Sequence, residues 1–250
     1  MRPNRLREKW KQGKRATNCW LSIPSAFSAE TMAHQGWDSV TIDLQHAPTD
    51  DAMAYAMLVA VSTTDTVPLV RVPGIEPGII TRVLDWGAYG VICPTINNVE
   101  ECRNFVGAVR YAPLGYRSVG PGRAVLYGGR DYVAKANETV LAIAQIETKQ
   151  GLENVDAIAR TPGLDMLFVG PNDLGLSLGR TAMPDQTDPV VVEAINAVLK
   201  AAHAAGIYAG IWCASADYGL EMMRKGFDLT TVVSDRGLLG TGAALRQKFA

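Results

Sequence analysis

The stretch LAIAQIETKQGLENVDAIARTPGLDMLFVGPND, residues 141–173, contains two nearly continuous apolar runs, LAIAQIE and MLFVGP, with LENVDAIART at helical spacing between them. A strand wet on one face alternates apolar and polar residues, whereas a parallel strand covered on both faces reads as one apolar run. Each run also delivers an acid at its end, Glu147 in the first and Asp173 just past the second. Outward from this unit lie six more short runs rich in β-branched and aliphatic residues: NCWLSI (18–23), SVTIDLQ (39–45), PLVRV (68–72), GVICPT (90–95), YAGIWC (208–213) and LTTVVS (229–234). DAMAYAMLVAVSTTD, PGIITRVLDWGA, VEECRNFVGAVRY and VVVEAINAVLKAAHAAG separate them at helical spacing, several opened by Asp, Asn or Pro and closed by Gly. Eight strand–helix alternations in 250 residues predict an α/β fold, a single (β/α)8 TIM barrel with eight parallel strands spanning residues 1–250. The main alternative is a doubly wound open sheet. It would place a Gly-rich turn after the first strand, where this chain has IPSAFSAE.

A hydrophobic content of 48% over this length buries a large core without a linker. The N-terminal MRPNRLREKWKQGKR is basic but lacks the apolar centre of a signal peptide, and it reads as a short helix over about 4–13 stopped near Gly13. The longest strand-poor stretch, YAPLGYRSVGPGRAVLYGGRDYVAKAN at about 111–137, is expected to cover the barrel mouth as an active-site loop. A net charge of −1 gives no whole-molecule attraction to nucleic acid or to an anionic membrane. No run has the apolar length to span a bilayer, and the cytoplasm is the default compartment. Cys19, Cys93, Cys102 and Cys213 are irregularly spaced without a CxxC pair, which argues for buried reduced thiols rather than a disulfide frame or structural zinc.

In such a barrel the carboxyl ends of the strands share one mouth. The second strand brings Asp43 and His46 there, the third Arg71, the fifth Gln145 and Glu147, and the sixth the Gly170-Pro171-Asn172-Asp173 turn; Asp85 lies in LDWGAYG before the fourth. Adjacent strands lie about 5 Å apart, so Glu147 and Asp173 can converge on one ion, and carboxylates without Cys or His favour a hard divalent cation such as Mg2+ or Mn2+. Each residue also has a plainer reading. Asp173 could cap a helix, His46 could be a hydrogen-bonded structural histidine, Arg71 and Asp43 could form a rim ion pair, and Asp85 could be a polar residue on a helix face. Trp20 could wall the site or sit in the core, and Arg117 and Arg123 could order the long loop or bind a distal carboxylate. Glu147 is the hardest to dismiss, because an acid ending an apolar strand must find a partner or a metal.

The segments IDLQHAP, PLVRV, VLDWGAYGVICP, AQIET and LFVGPNDL stand in the order and spacing of the metal-dependent (class II) pyruvate aldolases of the HpcH/HpaI family, and the chain resembles them over nearly its whole length. The resemblance, which extends to 4-hydroxy-2-oxoheptanedioate and 2-dehydro-3-deoxy-glucarate aldolases, implies a (β/α)8 lyase. Such an enzyme reversibly cleaves a 4-hydroxy-2-oxo acid to pyruvate and an aldehyde through a metal-bound enolate, with Mg2+, Mn2+ or Co2+. It implies Glu147 and Asp173 as metal ligands, with pyruvate bound near Gly170, Pro171, Asn172 and Asp173 and touched by Gln145. It implies His46 as acid/base supported by Asp85, Arg71 against the enolate oxygen, and Asp43 orienting a metal-bound water. It also suggests a homohexamer, a trimer of dimers, with the C-terminal helix near GTGAALRQKFA packing on a neighbour. Gln45 departs from the glutamate common before the histidine, which leaves the aldehyde partner open.

The chemistry is coherent on its own terms. Taking a methyl proton from a 2-oxo acid leaves negative charge on the keto oxygen, which a divalent cation and a fixed guanidinium can receive, and a histidine titrates near working pH. Three rival readings stand beside it: a Schiff-base aldolase using Lys149, a CoA-thioester lyase of a related barrel type, and a non-catalytic barrel that binds a 2-oxo acid.

Overall fold

The computed structural model describes residues 1–247, so Lys248 to Ala250, at the end of the anticipated C-terminal helix, lie outside the described residues. In chain order the elements are α1 (Arg5–Lys11), β1 (Ala16–Leu21), α2 (Ala26–Ala33), β2 (Ser39–Asp43), α3 (Asp51–Val61), β3 (Val67–Arg71), α4 (Pro77–Asp85), β4 (Gly90–Cys93), α5 (Val99–Val109), α6 (Gly122–Gly128) and α7 (Tyr132–Thr139). The second half continues with β5 (Leu141–Ile146), α8 (Lys149–Glu153), α9 (Val155–Ala159), β6 (Met166–Val169), α10 (Pro171–Ser177), α11 (Pro189–Ala204), β7 (Tyr208–Trp212), α12 (Ala216–Lys225), β8 (Leu229–Ser234), α13 (Asp235–Gly240) and α14 (Gly242–Gln247). All eight strands pair in parallel and in sequence order, and β8 returns to β1 to close the barrel.

The strands form where the apolar runs predicted them, and seven of the eight stop slightly short of their runs, β8 alone reaching the end of its own at Ser234. Gln45, Glu147 and Pro171 all fall beyond the last paired residue, where the backbone is free to turn and aim a side chain. Alternation along each strand sets which residues enter the barrel. Ser39, Thr41 and Asp43 share one face of β2. The Oδ1 of Asn18 accepts hydrogen bonds from the Ser39 and Thr41 hydroxyls at 2.9 and 3.0 Å, while its amide donates to Thr231 at 3.0 Å. Phe168 fills the space left by Gly210, where an added Cβ would lie 2.6 Å from its ring, and it stacks on Trp20 with ring centroids 6.1 Å apart.

The outer helices start on side chains that satisfy their free N–H groups: Ser25, Asp50, Glu76, Asn98, Thr148, Asp188 and Ser215 each accept from their own first turn. The return from α4 to β4 passes through Gly87 at φ 106, where a side chain would be strained and would also meet Arg123. The α1 helix lies under the amino ends of the strands. Its Trp10 packs on Tyr208 at 4.3 Å and donates to the Asp228 carbonyl at 2.9 Å. The four cysteines are free and buried, and burial pushes the Cys102 thiol up to about 11 and the Cys19 thiol to about 12.

The segment at about 111–137 is not a lid on its own barrel mouth. It follows a helix and precedes a strand, so it belongs to the face where strands begin. There it folds into α6 and α7 and packs beneath the barrel. Gly128 accepts from Arg2 N, and Arg123 donates to the Trp86 carbonyl and to the Ser62 hydroxyl. Arg110 joins this segment to the sheet: it is buried, pairs with Asp165, and donates to the carbonyls of Val140 at 2.8 Å and Gly163 at 2.7 Å. Removing one partner from a buried pair leaves the other uncompensated. Arg110→Leu is therefore expected to lower unfolding stability by about 3 kcal/mol, read as a reduced urea midpoint; an unchanged midpoint would show that this junction contributes nothing.

Candidate active site

The carboxyl ends of the strands surround a cavity of about 420 Å³. Of the residues singled out from sequence, Trp20, Asp43, His46, Arg71, Gln145, Gly170, Pro171, Asn172 and Asp173 line it. Their convergence follows from the register, which sets Asp43 beside Arg71 and Gln145 beside Phe168.

Asp43 and Arg71 are joined by two hydrogen bonds, from Nε at 2.9 Å and from Nη2 at 2.7 Å. The Trp20 indole donates to the same carboxylate at 3.2 Å, and the guanidinium lies over the Trp20 ring at 4.7 Å. Trp20 is thus both core and wall. Burial alone would push the Asp43 carboxyl up, but the hydrogen bonds and charge of Arg71, the Gln45 N–H and the indole outweigh it, and Asp43 is held below the usual carboxylate value. The plain ion-pair reading is therefore what this pair does structurally, and it also fixes the arginine in one pose. Nη1 of Arg71 has no hydrogen-bond partner among the described residues. Asp43 also accepts from the backbone N–H groups of Gln45 and His46, which bends the chain so that His46 reaches the mouth. The His46 side chain is exposed.

Glu147 is buried, and its contacts are to neutral groups. Oε1 accepts from the Thr95 N–H at 2.8 Å and the Thr95 hydroxyl at 2.9 Å, and Oε2 accepts from the Gln145 amide. Thr95 makes both bonds from a left-handed backbone with φ 56, the one positive φ at a non-glycine residue among those described. A β-branched residue held there costs about 1–2 kcal/mol. Strain of this kind persists where surrounding contacts over-determine it, often at a functional site. Thr95 was not read from the sequence, since neither its φ nor its reach to Glu147 is encoded in a local pattern. Gly170 permits the close approach of the two strands' ends, because an added Cβ would lie 2.6 Å from Glu147 Oε2 and 3.0 Å from Gln145 Nε2. Asp173 is exposed in the first turn of α10, where Gly170 is the N-cap and no side chain caps the helix. The capping role is thus not what Asp173 performs.

Asp85 is not in this cavity. The α4 helix runs back toward the amino ends of the strands, so its last residue emerges on the opposite face, where Asp85 pairs with Arg117 at 2.6 Å. Within its own chain Asp85 therefore does not reach His46. Arg117 is buried between Asp85, Tyr132 and the Tyr111 ring. Like Arg123 it orders the lower segment and does not face the chain's own cavity. Lys149 points into solvent and toward Glu153, and among the described residues no lysine lines the cavity.

Among the described residues no cluster of three or more His, Cys, Asp or Glu side chains converges. What the chain offers a cation is hard oxygen: the buried Glu147 carboxylate, the exposed Asp173 carboxylate, and Gln145 Oε1, which is buried without a hydrogen-bond partner. A donor set of one or two carboxylates, completed by water and substrate oxygens, fits a magnesium-like ion.

Comparison with known proteins gives the same architecture and identifies the family. The model of the family described as HpcH/HpaI aldolase/citrate lyase matches residues 16–239. The chain is 40% identical over 247 residues to the hydroxypyruvate/pyruvate aldolase of Rhizorhabdus wittichii, covering 99% of this chain and 98% of that protein. It is 34% identical over 250 residues to the 5-keto-4-deoxy-D-glucarate aldolase of Shigella boydii, covering 99% and 95%. A crystal structure of an HpcH/HpaI aldolase/citrate lyase family protein from Burkholderia cenocepacia superposes with a TM-score of 0.90 at 35% identity, covering 99% of this chain and 100% of that one.

The close approach at Gly170 yields a test that needs no turnover. Gly170→Ala should displace the Glu147 carboxylate and weaken Mn2+ binding about tenfold or more, the usual effect of disturbing a ligand's supporting contacts. Titration calorimetry would read it, and Mn2+ affinity equal to that of the unaltered protein would remove Glu147 from the cation site.

Proposed function

The chain belongs to the HpcH/HpaI aldolase/citrate lyase family, and from that premise we propose that it is a class II pyruvate aldolase, a carbon–carbon lyase that reversibly cleaves a 4-hydroxy-2-oxo acid to pyruvate and an aldehyde. The observation that carries the reading is a buried glutamate held by neutral donors only, next to an unpartnered amide oxygen, at the edge of a cavity that also presents His46 and a rigidly held Arg71.

Glu147 and Asp173 would hold a divalent cation, Mg2+, Mn2+ or Co2+, whose role when bound is to polarise the 2-oxo group of the substrate as a Lewis acid. The chain's own residues do the rest. The backbone at the start of α10, around Asn172, offers N–H groups to the pyruvate carboxylate at a helix amino end. Gln145 touches the same substrate from below. In condensation His46 takes the proton from the pyruvate methyl group and gives it to the aldehyde oxygen as the carbon–carbon bond forms; in cleavage it takes the C4 hydroxyl proton as that bond breaks and returns it to the methyl carbon, its exposed ring having room to approach substrate. As negative charge develops on the keto oxygen, the free Nη1 of Arg71 meets it, and the rest of that guanidinium is already fixed by Asp43, so little reorganisation is needed. Asp43 thus acts through Arg71 and by bending the chain at Gln45 and His46. A Schiff base has no support, because no lysine among the described residues reaches the cavity.

We further propose that the enzyme is a cytoplasmic homohexamer. Four free, buried thiols fit a reducing compartment. Exposed Leu114, Tyr116, Val119 and Leu126, carried on the 111–137 segment, fit burial against another copy.

Purified enzyme supplied with pyruvate, a short aldehyde and Mg2+, Mn2+ or Co2+ should form the aldol product, and chelator should abolish it. Arg71→Ala should lower turnover by about 100- to 1,000-fold, with Arg71→Lys intermediate, while circular dichroism stays unchanged. Full activity in chelator, or near-normal turnover in folded Arg71→Ala, would contradict this assignment.

A further inference from the structure

One charged side chain of the cavity has no part in the chemistry above. Arg236 follows Asp235, at the junction of β8 and α13, and its side chain lines the cavity with Ser22, Ile23 and Trp212. Asp235, the acid nearest in sequence, is already committed. It is buried, its Oδ1 accepts from Ser22 N at 2.9 Å and from the Arg236 backbone N–H at 2.7 Å, and its Oδ2 accepts from Ile23 N at 3.0 Å. These bonds tie the turn after β1 to the start of α13 and give Arg236 a fixed base. The cavity's other guanidinium, Arg71, is bound to Asp43. Arg236 forms no ion pair among the described residues, and its side chain is exposed to the mouth.

The charge is therefore available to a ligand. In the strand order it stands three positions round the barrel from the end of β5, where Glu147 emerges. The intervening wall carries the rings of Trp212 and Phe168, together with the turn at residues 170–173 after β6. Arg71, His46 and Arg236 border the same cavity of about 420 Å³, so a short molecule with its reacting carbon near Arg71 and His46 can extend its far end to Arg236. The arginines of the 111–137 segment cannot supply this contact within the chain, since Arg117 is held by Asp85 and Arg123 by Trp86 and Ser62.

We infer that Arg236 sets the choice of aldehyde: it binds a carboxylate at the far end of the aldehyde partner, so that acid aldehydes are preferred over neutral ones of the same length. The inference rests on the aldolase reading. A guanidinium gives a carboxylate two parallel hydrogen bonds, whereas a methyl or hydroxymethyl end forfeits both. Ser22, which lines the same cavity, carries a hydroxyl that can donate as well. Arg236 makes this contact away from the bond that forms or breaks, so its effect falls on binding of the aldehyde more than on turnover.

The test compares succinate semialdehyde with pentanal, and glyoxylate with glycolaldehyde, each with pyruvate and Mn2+ in the unaltered enzyme, Arg236→Gln and Arg236→Lys. In Arg236→Gln the acid aldehydes should lose about 10- to 100-fold in kcat/KM, the usual effect of losing a hydrogen bond to a charged group, chiefly through KM. Neutral aldehydes should stay within about twofold, and Arg236→Lys should recover part of the loss. An unchanged ratio of acid to neutral aldehyde in an active Arg236→Gln would overturn the assignment of Arg236 alone. Equal losses on both classes would do the same, marking a structural role. No condensation by the unaltered enzyme with any aldehyde would instead bring down the aldolase reading, and this inference with it.

Discussion

Eight parallel strands that close on themselves must all end on one face, and everything the chain can do at its cavity depends on that direction. A residue after a strand reaches the mouth, and a residue after a helix is carried to the opposite side. His46, Gln145, Glu147 and Asp173 follow strands or end them, and all sit at or beside the cavity. Asp85 and the 111–137 segment follow helices, and both are underneath. Closure also spares the barrel any exposed edge, so the strand ends are free to carry polar groups without inviting further pairing.

Within that frame the site is built by two different electrostatic arrangements. On the β2–β3 side, two opposite charges neutralise each other through a bidentate pair, and Trp20 covers them from one face. The pair is rigid, and it leaves one N–H-bearing nitrogen of Arg71 to spare. On the β5–β6 side, a buried carboxylate is met by hydroxyl, amide and backbone donors and, among the described residues, by no cationic side chain. Such a group is costly to bury, and the chain adds to the cost by straining Thr95 to support it. In the proposed function the two sides are complementary: one would offer a fixed guanidinium to developing negative charge, and the other would offer oxygen ligands to a cation.

The fold was legible because parallel strands buried on both faces leave long apolar runs, as in LAIAQIE and MLFVGP, that few other structures require. The residues of the candidate site were legible where a polar residue interrupts or ends such a run. Asp43, Arg71 and Glu147 are all of that kind. Thr95 was hidden because its role depends on a φ value and on a contact spanning 52 residues of chain. Gly170 was read as part of a turn, and its closeness to Glu147 emerged only from the packing of β5 against β6. Arg236 sits in an unremarkable polar turn and gains meaning only from the cavity beside it. The expectation that the 111–137 segment covers the mouth arose from its length. The helical pattern of VEECRNFVGAVRY just before it already carried the correction, since a segment after a helix starts on the far face.

The central claim is that this cavity removes a proton from the methyl group of pyruvate. Proton NMR of pyruvate in D2O with chelator-stripped enzyme, followed by addition of Mg2+, Mn2+ or Co2+ in sub-stoichiometric amounts, tests it without any choice of aldehyde. The account predicts that the methyl signal is lost by deuterium exchange only when a divalent cation is present, and that it persists in His46→Ala. A methyl signal unchanged by enzyme under every cation would contradict it.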